Sequence, residues 1–261
     1  MLSKLINHIQ IYTSYCSVVV HIIFACFVSK WLGKVAWMSI IVFFNNIKNI
    51  NCIITYFNVI CHVYYIMSSN FIYTNIHSLK ETLCKQIIER FEKEDEKEDK
   101  KTYPGVTSSG VNSNLKHTVD FQIDYHPDWV RIRKTLENEL KFNLTKYMKD
   151  VFGKLDCKLL PNDLFFETFQ IQRYRENEGK FVYHHDESIE RNENRTRVLT
   201  YIWYLNDVEV GGETEINVTT RIKPETGKLL LFPASWTYPH CGIMPVSNDK
   251  YIITGWVFKG I

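Results

Sequence analysis

The chain has 261 residues, 45% hydrophobic, 14% aromatic and 23% charged, so it holds the material of a packed core and is not a disordered or low-complexity chain. Its length is that of one large or two small domains at ~150 residues each. The formal net charge of +2 gives no support to nucleic-acid binding driven by bulk charge, and no nucleic-acid partner is expected.

That charge is unevenly spread. Residues 1–80 contain no Asp, Glu, Arg or Pro and five lysines, Lys4, Lys30, Lys34, Lys48 and Lys80. Removing those five from the 31 basic residues leaves 26 against 29 acids, so residues 81–261 carry a net charge of −3. Residues 1–77 are read as an apolar leader and residues 78–261 as the functional domain. Within the leader, residues 11–29 are free of charge over nearly the ~20 residues a membrane helix needs, with Lys4 before them and Lys30 and Lys34 after. The run exceeds the ~7–15 apolar residues of a signal peptide, and no small-x-small cleavage site follows. Two readings stand side by side: membrane association through residues 11–29, or an extension wrongly joined ahead of Met67, which leaves a soluble intracellular protein. The seven cysteines form no CxxC pair, so scattered thiols are expected rather than a disulfide framework or a structural zinc site.

From Ser78 the grammar is that of a folded domain. Ser78-Leu-Lys-Glu81 has the form of a capping box, and Leu79, Leu83, Ile87, Ile88 and Phe91 recur at helical spacing behind it. The charge run from Glu92 to Lys101 reads as a solvated helix end and loop closed by Pro104-Gly105. A second helix is predicted after Pro127, with Trp129, Ile132, Leu136, Leu140, Leu144, Tyr147 and Val151 on one face. From Leu164 the pattern changes to short β-rich runs: Phe165 to Tyr174, Phe181 to His185, Arg197 to Leu205, Thr214 to Thr219, Lys228 to Phe232, His240 to Met244 and Tyr251 to Phe258. Helices followed by a run of strands predict an α+β, mainly β fold, a sandwich or barrel buttressed by helices. No glycine-rich phosphate loop is present.

The chemistry concentrates in Phe181-Val-Tyr-His-His-Asp186. His184 and Asp186 are two apart and share one face of an extended strand, while His185 points away. The distant His240 can complete a set of two imidazoles and one carboxylate, which holds a metal on one triangular face and leaves adjacent positions open. Lys250 follows His240 by ten residues across the turn-like Pro245-Val-Ser-Asn-Asp249, so a hairpin is expected to return it beside the metal strand, where its cation can hold the far carboxylate of a chelating dicarboxylate.

Taken with their order and spacing, several stretches make the chain resemble the iron(II)- and 2-oxoglutarate-dependent dioxygenases, specifically the prolyl 4-hydroxylase-like branch. They are Gln170-Ile-Gln-Arg-Tyr174, Gly179 before His184-x-Asp186, Arg197-x-x-Thr200 leading into Tyr204-Leu-Asn206, Gly211-Gly-Glu-Thr214, Pro224-x-x-Gly227 before Leu229-Leu-Leu-Phe-Pro233, His240 before Pro245-Val246, and Lys250-Tyr251 ending in Trp256. The resemblance runs from about Phe166 to Phe258. It implies that His184, Asp186 and His240 bind Fe(II), that Lys250 binds the distal carboxylate of 2-oxoglutarate, and that Tyr204 and Tyr174 help at that carboxylate and at the pocket wall. It further implies a double-stranded β-helix (jelly-roll) core over residues 164–258 with flanking helices, O2 as second cosubstrate, L-ascorbate as the reductant that rescues oxidised iron, and hydroxylation of an unactivated C–H bond in a peptide or protein, with peptidyl proline favoured.

Gly211-Gly212 reads as a turn rather than as a ligand site. Ile216 stands where the family commonly has an aromatic residue, a departure expected to touch packing alone. Two readings from other classes stand against an active oxygenase: an inactive β-helix binding module, and a zinc-dependent hydrolase, since zinc accepts the same three ligands. The hydrolase leaves Lys250 and Tyr204 without a role. Asn143, Asn194 and Asn217 begin N-x-[ST] triplets, which matter if the domain is lumenal.

Overall fold

The computed structural model describes residues 71–152 and 164–261. The leader over residues 1–70, including the stretch 11–29 and four of the cysteines, lies outside the described residues, as does Cys157. Among the described residues no helix is long and apolar enough to cross a membrane, and Cys84 and Cys241 are free thiols.

In chain order the elements are β1 (Tyr73–Asn75), α1 (Glu81–Asp95), β2 (Tyr103–Pro104), β3 (Val106–Thr107), β4 (Gly110–Val111), β5 (Lys116–His117), β6 (Val119–Gln122), α2 (Val130–Tyr147), β7 (Phe165–Tyr174), β8 (Lys180–His184), β9 (Ile189–Glu190), β10 (Arg195–Tyr204), β11 (Thr214–Ile216), β12 (Thr220–Ile222), β13 (Leu229–Pro233), β14 (His240–Gly242) and β15 (Lys250–Gly260). They form a large antiparallel sheet in the order β1-β13-β10-β15-β7-β6-β2, with β9 beside β10, and a smaller one in the order β12-β11-β14-β8-β5. This is a mainly β, jelly-roll-like architecture with few helices. β1 pairs with β13 from Tyr73↔Leu231 to Asn75↔Leu229, so the large sheet begins in sequence ahead of Ser78.

Strand alternation divides the large sheet into two faces. Phe169, Ile171, Leu199, Tyr201, Trp203, Leu229, Leu231, Ile253 and Val257 pack against Ile87 and Phe91 of α1 and Leu136, Leu140 and Tyr147 of α2. Their neighbours Tyr174, Ile202, Tyr204, Leu230, Phe232 and Ile252 turn inward and meet Ile216 of the smaller sheet. Each such fully buried side chain contributes ~1.5–3 kcal/mol relative to exposure.

Two sequence expectations are corrected at the helices. The capping box does not form: Lys80 precedes α1 in extended conformation without a side-chain cap. Ser78 Oγ instead accepts from Trp203 Nε1 at 2.9 Å and Asn143 Nδ2 at 3.1 Å. The buried Trp203 indole takes Ser78 as its acceptor, and that demand outcompetes a cap that solvent can replace. The run from Glu92 is not wholly solvated, because Arg173 on β7 pairs with Glu92 at 2.9 Å and Asp95 at 2.7 Å and ties α1 to the sheet. Asn143 is fully buried, accepting from Asn75 Nδ2 at 2.8 Å, which closes its N-x-[ST] triplet in the folded chain. Further along, the run Thr214 to Thr219 is strand only as far as Ile216: β11 ends there, and a turn in which Asn217 and Val218 adopt left-handed φ of 55° and 62° leads into β12.

Candidate metal centre and cosubstrate pocket

A cavity of about 700 Å³ lies between the inner faces of the two sheets. β8 and β14 pair with His240 opposite His184, which sets the two imidazoles side by side with centroids 4.2 Å apart. β8 ends at His184, so Asp186 stands just past the strand rather than on it. It nevertheless turns back to the rings: His184 Nε2 is 3.7 Å from Oδ1 and His240 Nε2 is 3.4 Å from Oδ2. One donor atom from each of the three residues falls within 4.8 Å of the others.

The rest of each donor is fixed from behind. Nδ1 of His184 donates to Val182 O at 2.8 Å and Nδ1 of His240 to Tyr238 O at 3.1 Å, the tautomer that leaves both Nε2 lone pairs facing inward. Burial, followed by repulsion from His240, pushes the His184 pKa down to about 4, so the ring is neutral and able to coordinate. Burial alone would raise Asp186, yet His240, His184 and the Thr200 hydroxyl hold its carboxyl below the usual range. Thr200 Oγ1 donates to Oδ2 at 2.7 Å. The Trp256 indole N–H adds to this pull although it makes no hydrogen bond of good geometry. Two imidazoles and one carboxylate, converging and open to a cavity, fit a divalent metal such as Fe(II).

Lys250 does not sit beside the metal strand on a hairpin. β14 belongs to the smaller sheet and β15 to the large one, so the turn at Pro245–Asp249 carries the chain between sheets and Lys250 enters the cavity from the other wall. Its register partner is Tyr174, whose ring centroid lies 3.9 Å from Nζ. Lys250 is 1% exposed, Nζ donates to Gly212 O at 2.9 Å, and no ion pair satisfies it among the described residues. Burial drives its pKa down to about 7. A buried lysine without an acid is costly unless an anion arrives.

Tyr174 lines the cavity and donates to Gln172 Oε1 at 3.2 Å. Tyr204 is fully buried among the inward-facing residues and reaches the cavity through Thr214, to which its hydroxyl donates at 2.7 Å. Gly211 and Gly212 do form a turn, with φ of 74° and 76°, but the turn also supplies the carbonyl that holds Lys250.

Sequence reasoning gave no site role to Thr200, Thr214, the Gly212 carbonyl, Arg197 or Trp256. Arg197 and Trp256 both line the cavity, the guanidinium 3.5 Å from the indole centroid, and Arg197 Nε and Trp256 Nε1 are buried without acceptors. The one sequence signal for them was parity: Thr200 shares its face of β10 with Ile202 and Tyr204, and Trp256 shares its face of β15 with Lys250.

Fold and side chains together give a jelly-roll-like protein in which two imidazoles and one carboxylate converge as a group that could hold a metal ion. Residues 169–258 match the profile of the 2OG-Fe(II) oxygenase superfamily. That segment is thus like a 2OG-Fe(II) oxygenase domain, a family that implies Fe(II), 2-oxoglutarate and O2, and the fold is similar to that of prolyl hydroxylases. Among solved structures it is similar to the viral collagen prolyl hydroxylase of Paramecium Bursaria Chlorella virus-1, with TM-score 0.50, 18% identity, and 74% of this chain and 97% of that one covered. It is also similar to a Pseudomonas putida prolyl-4-hydroxylase, with TM-score 0.52, 16% identity and 72% and 92% covered. A third is the Trichoplax adhaerens prolyl hydroxylase solved with a hypoxia inducible factor oxygen degradation domain peptide fragment, with TM-score 0.52, 17% identity and 72% and 84% covered. At these identities the similarity concerns the fold. A comparison with curated proteins gives no match.

Proposed function

We propose that the chain is a dioxygenase that hydroxylates an unactivated C–H bond of a peptide or protein, peptidyl proline first, while 2-oxoglutarate is decarboxylated to succinate. His184, Asp186 and His240 hold the iron, Lys250 binds the distal carboxylate of 2-oxoglutarate, Tyr174 and the Tyr204–Thr214 pair shape its pocket, and the sheets form the double-stranded β-helix this chemistry uses. The observation that carries the reading is the buried Lys250, lacking an acid partner, in the same cavity as the three donors. Bound iron supplies the activation of dioxygen, and ascorbate is the proposed reductant that keeps it ferrous. The chain's own residues orient the cosubstrate and exclude water, and Asp186 stays charged because Thr200 donates to it. The unsatisfied Arg197 Nε would donate to a carbonyl of the bound peptide.

The test is succinate formation from 2-oxoglutarate with Fe(II), O2 and proline-rich peptides, beside a His184→Ala control. Peptide-stimulated turnover in the parent and none in the control supports the reading. Equal turnover in both proteins sinks it.

A further inference from the structure

Among the described residues, one ion pair is shut away from solvent on both sides, and the proposed chemistry does not use it. Lys116 Nζ donates to Asp120 Oδ2 at 2.7 Å, with side chains 4% and 0% exposed, and Thr118 Oγ1 donates to Oδ1 at 2.7 Å. Lys116 is on β5, the edge strand of the smaller sheet, and Asp120 on β6 of the large one, so the pair ties the two sheets together. Lys116 is the register partner of Phe181 on β8, the strand that ends at His184. Its ammonium lies 5.3 Å from the Phe181 ring centroid. Phe181 in turn stacks on the His184 imidazole, with centroids 3.6 Å apart and planes 16° apart.

The two imidazoles differ in their support. His240 is 5% exposed and meets Phe232 of the dry core edge-on at 4.7 Å. His184, with a fifth of its side chain exposed, stands nearer the mouth. Its hydrogen bond to Val182 O fixes which nitrogen carries the proton, but a single bond leaves the ring free to tilt about it. A cation over an aromatic ring is attracted to its π-electrons, and it draws that ring into a fixed place.

We propose that the Lys116–Asp120 pair is a positioning device for His184: it fixes Phe181, and Phe181 fixes the plane in which the imidazole presents Nε2 to the metal. This rests on the reading of His184 as a metal ligand. A buried ion pair adds little to stability over an apolar pair of the same shape, so its retention at this place fits a geometric role.

The experiment titrates the full chain anaerobically with Co(II), following the visible ligand-field bands, and measures urea unfolding in parallel. The double variant Lys116→Met with Asp120→Asn removes both charges together and strands neither. That variant and Phe181→Leu should each weaken Co(II) binding about tenfold and change the band shape, while Lys116→Arg, which keeps a cation over the ring, should bind as the parent does. Parent-like affinity and bands in both the double variant and Phe181→Leu would overturn the proposal, and a fall in stability alone would make the pair a structural staple. Absence of Co(II) binding by the parent chain would remove the metal reading itself, and this proposal with it.

Discussion

The two faces of the large sheet are made by alternate residues of the same strands, and they do opposite work. On β7, Phe169, Ile171 and Arg173 face the helices while Gln170, Gln172 and Tyr174 face the cavity. On β10 the split is Leu199, Tyr201 and Trp203 against Thr200, Ile202 and Tyr204; on β15 it is Tyr251, Ile253 and Val257 against Lys250, Ile252, Thr254 and Trp256. The helix-side face is aromatic and aliphatic, and its buried cation, Arg173, is paired with Glu92 and Asp95, its Nε alone going without an acceptor. The cavity face buries a lysine without an acid and two N–H donors without acceptors. Stability and reactivity are thus separated by a single residue step, and substitutions one position apart should separate them too.

The largest expected effect is at the donor set. His184→Ala should reduce succinate formation to that of a protein-free mixture, while chemical denaturation shifts by less than ~1 kcal/mol, because a ring at the cavity mouth is lost rather than a core one. The opposite result belongs to the helix side. Trp203 is fully buried and its indole donates to Ser78 at 2.9 Å. Trp203→Ala should cost ~3–5 kcal/mol in urea unfolding, yet leave the turnover of each remaining folded molecule near the parent's. A Trp203→Ala protein that is stable but inactive would break the separation.

This alternation was legible in the sequence because period two is all a strand needs: Phe165 to Tyr174 is β7 with its bounds unchanged, and the parity of Thr200, Ile202 and Tyr204 holds in β10. The three donors were also legible, since HxD and a distant His carry a recognisable spacing. What could not be read was anything that depends on which sheet a strand joins. Lys250 was placed beside His240 by a hairpin, but β14 and β15 part into different sheets, a choice made by long-range pairing with β8 and β10. Ser78 looked like a cap because its local pattern fits one, and the acceptor-hungry Trp203, 125 residues away, decides otherwise. Gly212 gave a turn signal, and nothing local announces that its carbonyl will hold a lysine.

Lys250 sharpens the comparison, because on the cavity face a residue is expected to cost stability and supply function. Lys250→Met should weaken 2-oxoglutarate binding by ~2–5 kcal/mol, tens-fold or more, while metal binding is kept. Its folded-state pKa of about 7 lies below the ordinary 10.5. Between those values the unfolded chain binds the extra proton, so the ligand-free parent gains stability as pH rises through that window and bears the full burial cost below it. At pH 6 the Met variant should be at least as stable as the parent, and its stability should lack that rise. A variant that is destabilised at pH 6 and binds 2-oxoglutarate normally would move Lys250 to the structural side.

The smallest expected effect follows from the same lysine and tests whether its charge, rather than its shape, binds the cosubstrate. In the ligand-free protein Lys250 loses its proton near pH 7. A carboxylate placed against it favours the charged form and raises that pKa, so above pH 7 the complex holds more protons than its separated parts. Affinity should then fall as pH rises from about 7, by at most tenfold per unit for one proton. Calorimetry at pH 8 in two buffers of different ionisation heat should register the uptake of up to one proton per 2-oxoglutarate bound, and Lys250→Met should register none. Proton uptake that persists in the Met variant would place the titrating group elsewhere and leave the cavity face with a charge that the cosubstrate does not meet.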